Sequence, residues 1–337
     1  MITSPLFPLP EKSPLVGIAR LASEGESLRE GHRVEYFTLP TRSLLNRSTS
    51  RRGLPFTWTI NPYRGCEFAC KYCYARYTHE FMEMRDGVEF EQKIYVKQHA
   101  AELLRHDLRR VRPGEAIALG TATDPYQPAE RRYEITRGIL QEFARHRGFE
   151  LGIVTKSNLI VRDLDLLREV ALNNSLSIHV TVTTMNVELA RILEPRAPRP
   201  DLRIDAVRQL SEAGINVGVS SSPVLPGITD SPAGLEDVVR AAAAAGAHHI
   251  FAGPLFLKPC SAAVFLPFLD QHFPHLVENY RQRYQDRSFL PPSYGKRIAQ
   301  LIAQFRQKYG IKRADPRGTM YANKWPVRAL DEQLALF

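Results

Sequence analysis

Six short apolar runs, alternating with helical segments, restrict the fold of this chain more than any other feature. The runs lie at 56–60, 116–119, 151–155, 177–183, 215–220 and 248–252, and helix-like segments fall at 96–108, 133–145, 163–172, 202–213 and 235–245. Strands joined through single helices pair in parallel by right-handed crossovers, so the expected class is α/β. Asp163 and Asp201 stand where helix N-caps are expected, and Gly214 and Gly246 suit helix ends. In parallel barrels, functional side chains gather on the loops after the C-terminal ends of strands. Those loops are polar here: Gly120-Thr121-Ala122-Thr123-Asp124, Thr155-Lys156-Ser157-Asn158, 181–186, Ser220-Ser221-Ser222-Pro223 and Leu257-Lys258-Pro259-Cys260.

Apolar residues make up 44% of the 337 residues, enough to bury a core and too many for a disordered or low-complexity chain. The longest apolar stretches, 241–245 and 262–269, are too short to span a bilayer, so no membrane association is expected. Pro5, Pro8, Pro10 and Pro14 break up any signal-peptide core. Lys and Arg outnumber Asp and Glu by 45 to 36, a net +9 compatible with a polyanionic partner. Three of the four cysteines fall within eight residues, unlike a disulfide scaffold, and point to a reducing cytoplasm.

Those three, Cys66, Cys70 and Cys73, sit in the run N-P-Y-R-G-C-E-F-A-C-K-Y-C-Y-A-R at 61–76. Three thiolates on one tight loop can ligate three irons of a [4Fe–4S] cluster and leave the fourth open to a small molecule. Gly65 would let the backbone bend closely around the cluster. A zinc site is the alternative, with His79 or Cys260 as fourth ligand, although no second C-x2-C element or histidine pair accompanies it.

The spacing C-x3-C-x-aromatic-C resembles the hallmark of the radical SAM superfamily. The resemblance implies a partial (β/α)6 barrel, a [4Fe–4S] cluster and S-adenosyl-L-methionine as cofactors, and an electron donor as partner. In that family the open iron is chelated by S-adenosylmethionine, whose reductive cleavage gives a 5′-deoxyadenosyl radical that abstracts hydrogen. Tyr72 would lie near the adenine by analogy. By their chemistry, Lys156 suits the cofactor carboxylate, Thr123, Ser157 and Thr183 suit the carboxylate or ribose, and Asp124 suits the ammonium or a hydroxyl. Each of these residue types is also an ordinary occupant of strand–helix turns.

The longer cysteine run, with T-K-S at 155–157, V-T-T at 182–184 and E-P-R-A-P at 194–198, resembles the spore photoproduct lyase-like (DNA repair photolyase-like) branch. That resemblance, over roughly 61–259, implies damaged DNA as substrate and a base drawn out of the stack into a pocket. The lyase carries a hydrogen-donating cysteine just ahead of its T-S-D-like run; Gly120–Asp124 here contains none, leaving Cys260 as the candidate donor. Basic residues at 42–52, 105–112 and 281–313 suit phosphates. The terminal Q-L-A-L-F resembles the peptide by which bacterial repair proteins engage the sliding clamp, with Gln333, Leu334, Leu336 and Phe337 as contacts. The expected organisation is an N-terminal extension (1–55), the barrel (56–260) and a C-terminal helical cap and tail (261–337). Two alternatives stand beside the DNA-directed enzyme: a radical SAM enzyme modifying RNA, a peptide or a small molecule, and a non-enzymatic, clamp-associated zinc protein.

Overall fold

The computed structural model describes residues 15–25, 27–30, 34–48, 54–84 and 86–311. In chain order its strands are β1 (Ser27–Glu30), β2 (Glu35–Thr38), β3 (Leu45–Arg47), β4 (Trp58–Ile60), β5 (Tyr63–Arg64), β6 (Lys93–Val96), β7 (Ala116–Leu119), β8 (Glu150–Thr155), β9 (Ser175–Thr181), β10 (Val217–Val224) and β11 (His249–Pro254). The larger sheet has the order β11-β10-β9-β8-β7-β4-β3. From β4 to β11 all neighbours are parallel, and β3 alone runs antiparallel, against β4. The six parallel strands correspond to the six apolar runs. β3 and β11 stay unpaired with each other, so the barrel is open, as a partial (β/α)6 barrel should be.

Parallel strands are covered on both faces and therefore read as continuous apolar runs. β7 and β10 are buried along their whole length. Ile117, Ile153, Ile178 and Val219 from the strands share one core with Ile139, Leu167, Val207, Val239 and Ile298 from the helices. Helix Pro292–Lys308, which the sequence places in a cap, lies on β11 and against helix Pro232–Ala244. Helices Pro259–His272 and Val277–Tyr284 instead cover the cysteine loop, where Phe265, Leu269 and Tyr280 pack with Phe68 and Tyr72.

Several element ends differ from the sequence reading. Residues 93–96, expected in part to begin a helix, form β6 between β2 and β5, and the helix runs Ala100–Asp107. A short apolar run does not distinguish strand from helix by periodicity alone. The expected helix 133–145 is broken at Glu134, in a left-handed conformation, into Glu130–Tyr133 and Ile135–Ala144. The break lets the buried Glu130 carboxylate accept the backbone N–H groups of Thr136 (2.9 Å) and Arg137 (3.1 Å), a cap supplied from the preceding turn. Asp201 is not an N-cap: helix Pro200–Glu212 starts with Pro200 after Arg199, and Asp201 pairs with Arg199 at 2.7 Å. Asp163 does occupy the N-cap position of helix Leu164–Asn173, but its carboxylate is taken by Arg137 and Arg162.

β10 reaches the rim of the barrel past a tight crossing. Gly218 faces His249 of β11, whose Nε2 lies 3.1 Å from His179 Nδ1 on β9. A Cβ on Gly218 would sit 2.2 Å from the His249 ring and 2.6 Å from its carbonyl oxygen. Gly218→Ala should therefore cost at least about 1–3 kcal/mol, the usual penalty of overpacking. Chemical denaturation checks this, and an unchanged midpoint would refute the crossing.

Candidate active site

The loop carrying the cysteines is held by backbone contacts from distant segments. Gly65 has φ +83, and a Cβ there would lie 2.6 Å from the Lys93 carbonyl oxygen and 2.9 Å from that of Phe90. That close approach lets the Cys66 N–H donate to the Phe90 carbonyl at 2.9 Å. Lys71 N–H donates to the Leu193 carbonyl at 2.9 Å. The buried Arg76 donates to the Cys70 carbonyl at 3.0 Å and pairs with Glu91 at 2.8 Å, fixing the far side of the loop.

Cys66, Cys70 and Cys73 line one cavity of about 990 Å³, counting the space at its mouth, and no other cysteine lines it. Burial, then Asp124 and the two other thiols, pushes the Cys66 thiol well up; burial pushes Cys70 up to about 12, with Lys156 opposing. Thiols placed so close in a dry cavity ionise together only around positive charge, which fits them as ligands of a metal cluster. His79 is not among the residues lining the cavity of the three cysteines. It is buried with Nε2 against the Lys93 carbonyl at 3.2 Å, packs on Phe90 and Tyr95, and burial lowers its pKa to about 4.

Of the residues matched to S-adenosylmethionine, Tyr72, Thr123, Asp124 and Lys156 line this cavity; Ser157 and Thr183 do not. Thr123 donates to the Gly65 carbonyl at 2.5 Å and accepts from Gln127 at 2.9 Å, bracing the cysteine loop. The Asp124 carboxylate accepts from the Thr155 hydroxyl (2.7 Å), Lys156 N–H (2.7 Å) and Tyr126 N–H (2.9 Å), tying the β7 loop to the end of β8. The Lys156 ammonium lies 5.7 Å from the Tyr72 ring centroid. Burial lowers its pKa, but Cys70, Glu194 and Asp124 outweigh that and hold it protonated. The Ser157 hydroxyl accepts Leu159 N–H at 3.2 Å as a helix cap, and Thr183 donates to Glu194 at 3.2 Å. Cys260 is half-buried with Sγ 3.8 Å from the Ser261 hydroxyl, while Ser261 donates to the Cys73 carbonyl at 2.8 Å. Gln333, Leu334, Leu336 and Phe337 lie outside the described residues.

In the sequence Glu194 stands out only as the start of the E-P-R-A-P run, and Arg203 does not stand out at all. Glu194 is buried, accepts the Tyr72 hydroxyl, and pairs with the equally buried Arg203 at 2.6 Å. Burial opposes its ionisation, but Arg203 and Lys156 hold it below the usual carboxylate range. This pair joins residues distant in sequence, so only the E-P turn was visible as a signal.

A second cavity of about 1630 Å³, counting its mouth, adjoins the first and shares Phe56, Tyr74, Thr121, Ala122 and Phe256 with it. Its described lining carries Arg47, Arg64, Lys97 and Lys258 and no carboxylate. Tyr74, Tyr77, Phe81 and Phe289 add aromatic faces, and Lys258 sits 3.6 Å from the Tyr77 ring centroid. None of Arg64, Lys97 or Tyr77 was singled out from the sequence.

Arg203→Met leaves the Glu194 charge buried without its main partner and should cost about 3–5 kcal/mol, partly recovered by adding Glu194→Gln. Denaturation of the single and double variants decides this. Burial, then Arg64, lowers the Lys97 pKa to about 7, against about 10.4 unfolded. Native Lys97 then binds fewer protons than unfolded Lys97 between these values, so its cost is greatest below pH 7 and stability rises with pH across that window. Lys97→Met should raise stability at neutral pH and flatten that rise in pH-dependent denaturation.

A family model described as the radical SAM superfamily matches residues 60–240. An uncharacterized protein of Mycobacterium tuberculosis is 40% identical over 272 residues, 79% of each chain. Another uncharacterized protein, from Methanocaldococcus jannaschii, is 28% identical over 221 residues, 66% of this chain and 78% of the relative. A spore photoproduct lyase variant with bound AdoMet and dinucleoside spore photoproduct matches with a TM-score of 0.60 at 14% identity, over 81% of this chain and 79% of that one. At that identity the likeness shows a shared fold. No helix among the described residues is long and apolar enough to cross a membrane. The family match overturns the reading as a non-enzymatic zinc protein. The chain belongs to the radical SAM superfamily and is an enzyme of the kind that uses a [4Fe–4S] cluster and S-adenosylmethionine.

Proposed function

We propose that Cys66, Cys70 and Cys73 hold the [4Fe–4S] cluster, that S-adenosylmethionine occupies the cavity beside it, and that the substrate is damaged DNA. A cluster held by these three thiolates would supply the electron for reductive cleavage of S-adenosylmethionine and so the means of hydrogen abstraction from the substrate. Lys156 is the cation for the cofactor carboxylate at the end of β8, kept protonated against burial by the fields of Cys70, Glu194 and Asp124. Thr123 and Asp124 act by positioning, since their polar atoms are engaged in the loop. Tyr72 presents its ring to the cavity with its hydroxyl fixed by Glu194. Ser157 and Thr183 serve the same frame from behind.

The observation that carries the DNA reading is the second cavity: four cations without a carboxylate, interleaved with aromatic rings, opening onto the cavity of the cysteines. Cations neutralise phosphates and aromatic faces stack unpaired bases. The lyase-like fold and the Q-L-A-L-F tail support the same substrate, with the sliding clamp as partner through Gln333, Leu334, Leu336 and Phe337. Gly120–Asp124 holds no thiol and Cys260 lines neither cavity, so the return of hydrogen differs from that in the lyase.

Anaerobic reconstitution of the whole chain should give about four irons per chain and reductive cleavage of S-adenosylmethionine, both lost in Cys70→Ala. Deuterium placed on lesion-bearing DNA should then appear in 5′-deoxyadenosine. Label arriving instead from RNA, a peptide or a metabolite would overturn the DNA assignment while leaving the cluster assignment intact. Pull-down by the sliding clamp should disappear with Phe337→Ala.

A further inference from the structure

We infer that Lys97 and Arg64 form a subsite for one backbone phosphate of the substrate at the floor of the outer cavity. The inference deepens the DNA reading above and rests on it for the identity of the ligand.

Three cations are buried among the described residues: Arg76 (2% exposed), Arg203 (1%) and Lys97 (5%). Arg76 has Glu91 at 2.8 Å and Arg203 has Glu194 at 2.6 Å, so each brings its own counterion. Lys97 has neither an ion pair nor a side-chain hydrogen bond to any described residue, and its side chain lines the outer cavity. A desolvated ammonium without a counterion is costly, and a fold that keeps one facing a cavity holds a place for an anion.

The strand register supplies the second half of the subsite. β5 and β6 pair antiparallel with Tyr63 opposite Val96 and Arg64 opposite Tyr95, and Lys97 N–H donates to the Pro62 carbonyl at 3.3 Å. This register puts Arg64 and Lys97 on one face of the ribbon, diagonally two positions apart, like charges within reach of each other's field. Arg64 spends one N–H on the Thr78 carbonyl at 3.2 Å and has no carboxylate partner among the described residues. A planar guanidinium beside a compact ammonium suits an anion with several oxygens, as a phosphodiester is. Tyr74, Tyr77 and Phe81 share this cavity and offer faces to the adjoining base, while Tyr74 also borders the cysteine cavity. The subsite thus anchors the backbone next to the nucleotide that reaches the reaction chamber.

The test uses the reconstituted full chain with S-adenosylmethionine bound. Two probes are compared by fluorescence anisotropy: a short single-stranded thymidine oligonucleotide, and the same oligonucleotide with neutral methylphosphonate linkages at its centre. The wild type should prefer the charged probe. Lys97→Met should weaken the charged probe at least about tenfold, the usual scale for a charge-assisted hydrogen bond, and bring the two probes together. It should also lower the slope of log affinity against log salt by about one. Lys97→Arg should restore much of the preference, and the cluster absorbance should be unchanged in both variants. Unaltered discrimination by Lys97→Met would overturn the subsite and leave the DNA reading standing. If the wild type binds neither oligonucleotide but inorganic phosphate protects Lys97 from acetylation, the subsite stands and the DNA reading fails. If phosphate gives no protection either, the subsite is overturned.

Discussion

The geometry of the active site depends on one buried carboxylate. Glu194 receives the Tyr72 hydroxyl from the cysteine loop, Thr183 from beyond β9, and Arg203 from helix Pro200–Glu212. Three segments far apart in the chain are thereby fixed to one point at the rim of the barrel. In a low-dielectric interior such a network is strong when complete and costly when broken, so it sets a position rather than merely adding stability. Its charges also reach the cysteines. Burial pushes the Cys70 thiol up, and around it Lys156 and Arg203 favour a thiolate while Glu194 and Cys73 oppose one.

Fold and cysteine loop were legible in the sequence because their signals are local. A fully buried parallel strand such as β7 is an uninterrupted apolar run, and the C-x3-C-x2-C spacing lies within one short loop of chain. Element ends were less legible where the cap comes from elsewhere. Glu130 caps the helix starting at Ile135 across a left-handed residue, and Pro200 displaces Asp201 from the cap it resembles. β6 was hidden because 93–96 is too short to show a period.

The candidate site divides along the same line. T-K-S marks the end of β8, but the sequence does not say which side chains face the cavity; Lys156 does and Ser157 turns back to cap. Thr183 likewise stands at the right rim and serves Glu194. Arg203, Lys97 and Arg64 escaped notice because their significance is relational. An arginine matters here through a glutamate on another turn, and a lysine through the absence of an acid among the described residues of its cavity.

Two adjoining cavities answer two demands that a single one would satisfy badly. A carbon radical must be kept from water and stray hydrogen donors, which calls for a dry, largely apolar chamber. A polyanion is recognised by unpaired positive charge, which a dry chamber holds only at a desolvation cost. In the inner cavity the one lysine, Lys156, is balanced by Asp124 and Glu194, and the rest of the wall is mostly apolar or aromatic. In the outer cavity Arg47, Arg64, Lys97 and Lys258 face no carboxylate among the described lining residues, which leaves this wall suited to an anionic ligand. Tyr74 and Phe256 belong to both walls, and Tyr74 is fixed by its hydroxyl to the Thr121 carbonyl. On the proposed DNA reading, a base entering past these rings would leave its phosphates among the cations as it came beside the cysteine loop, so that backbone recognition and radical chemistry would proceed side by side without sharing a dielectric.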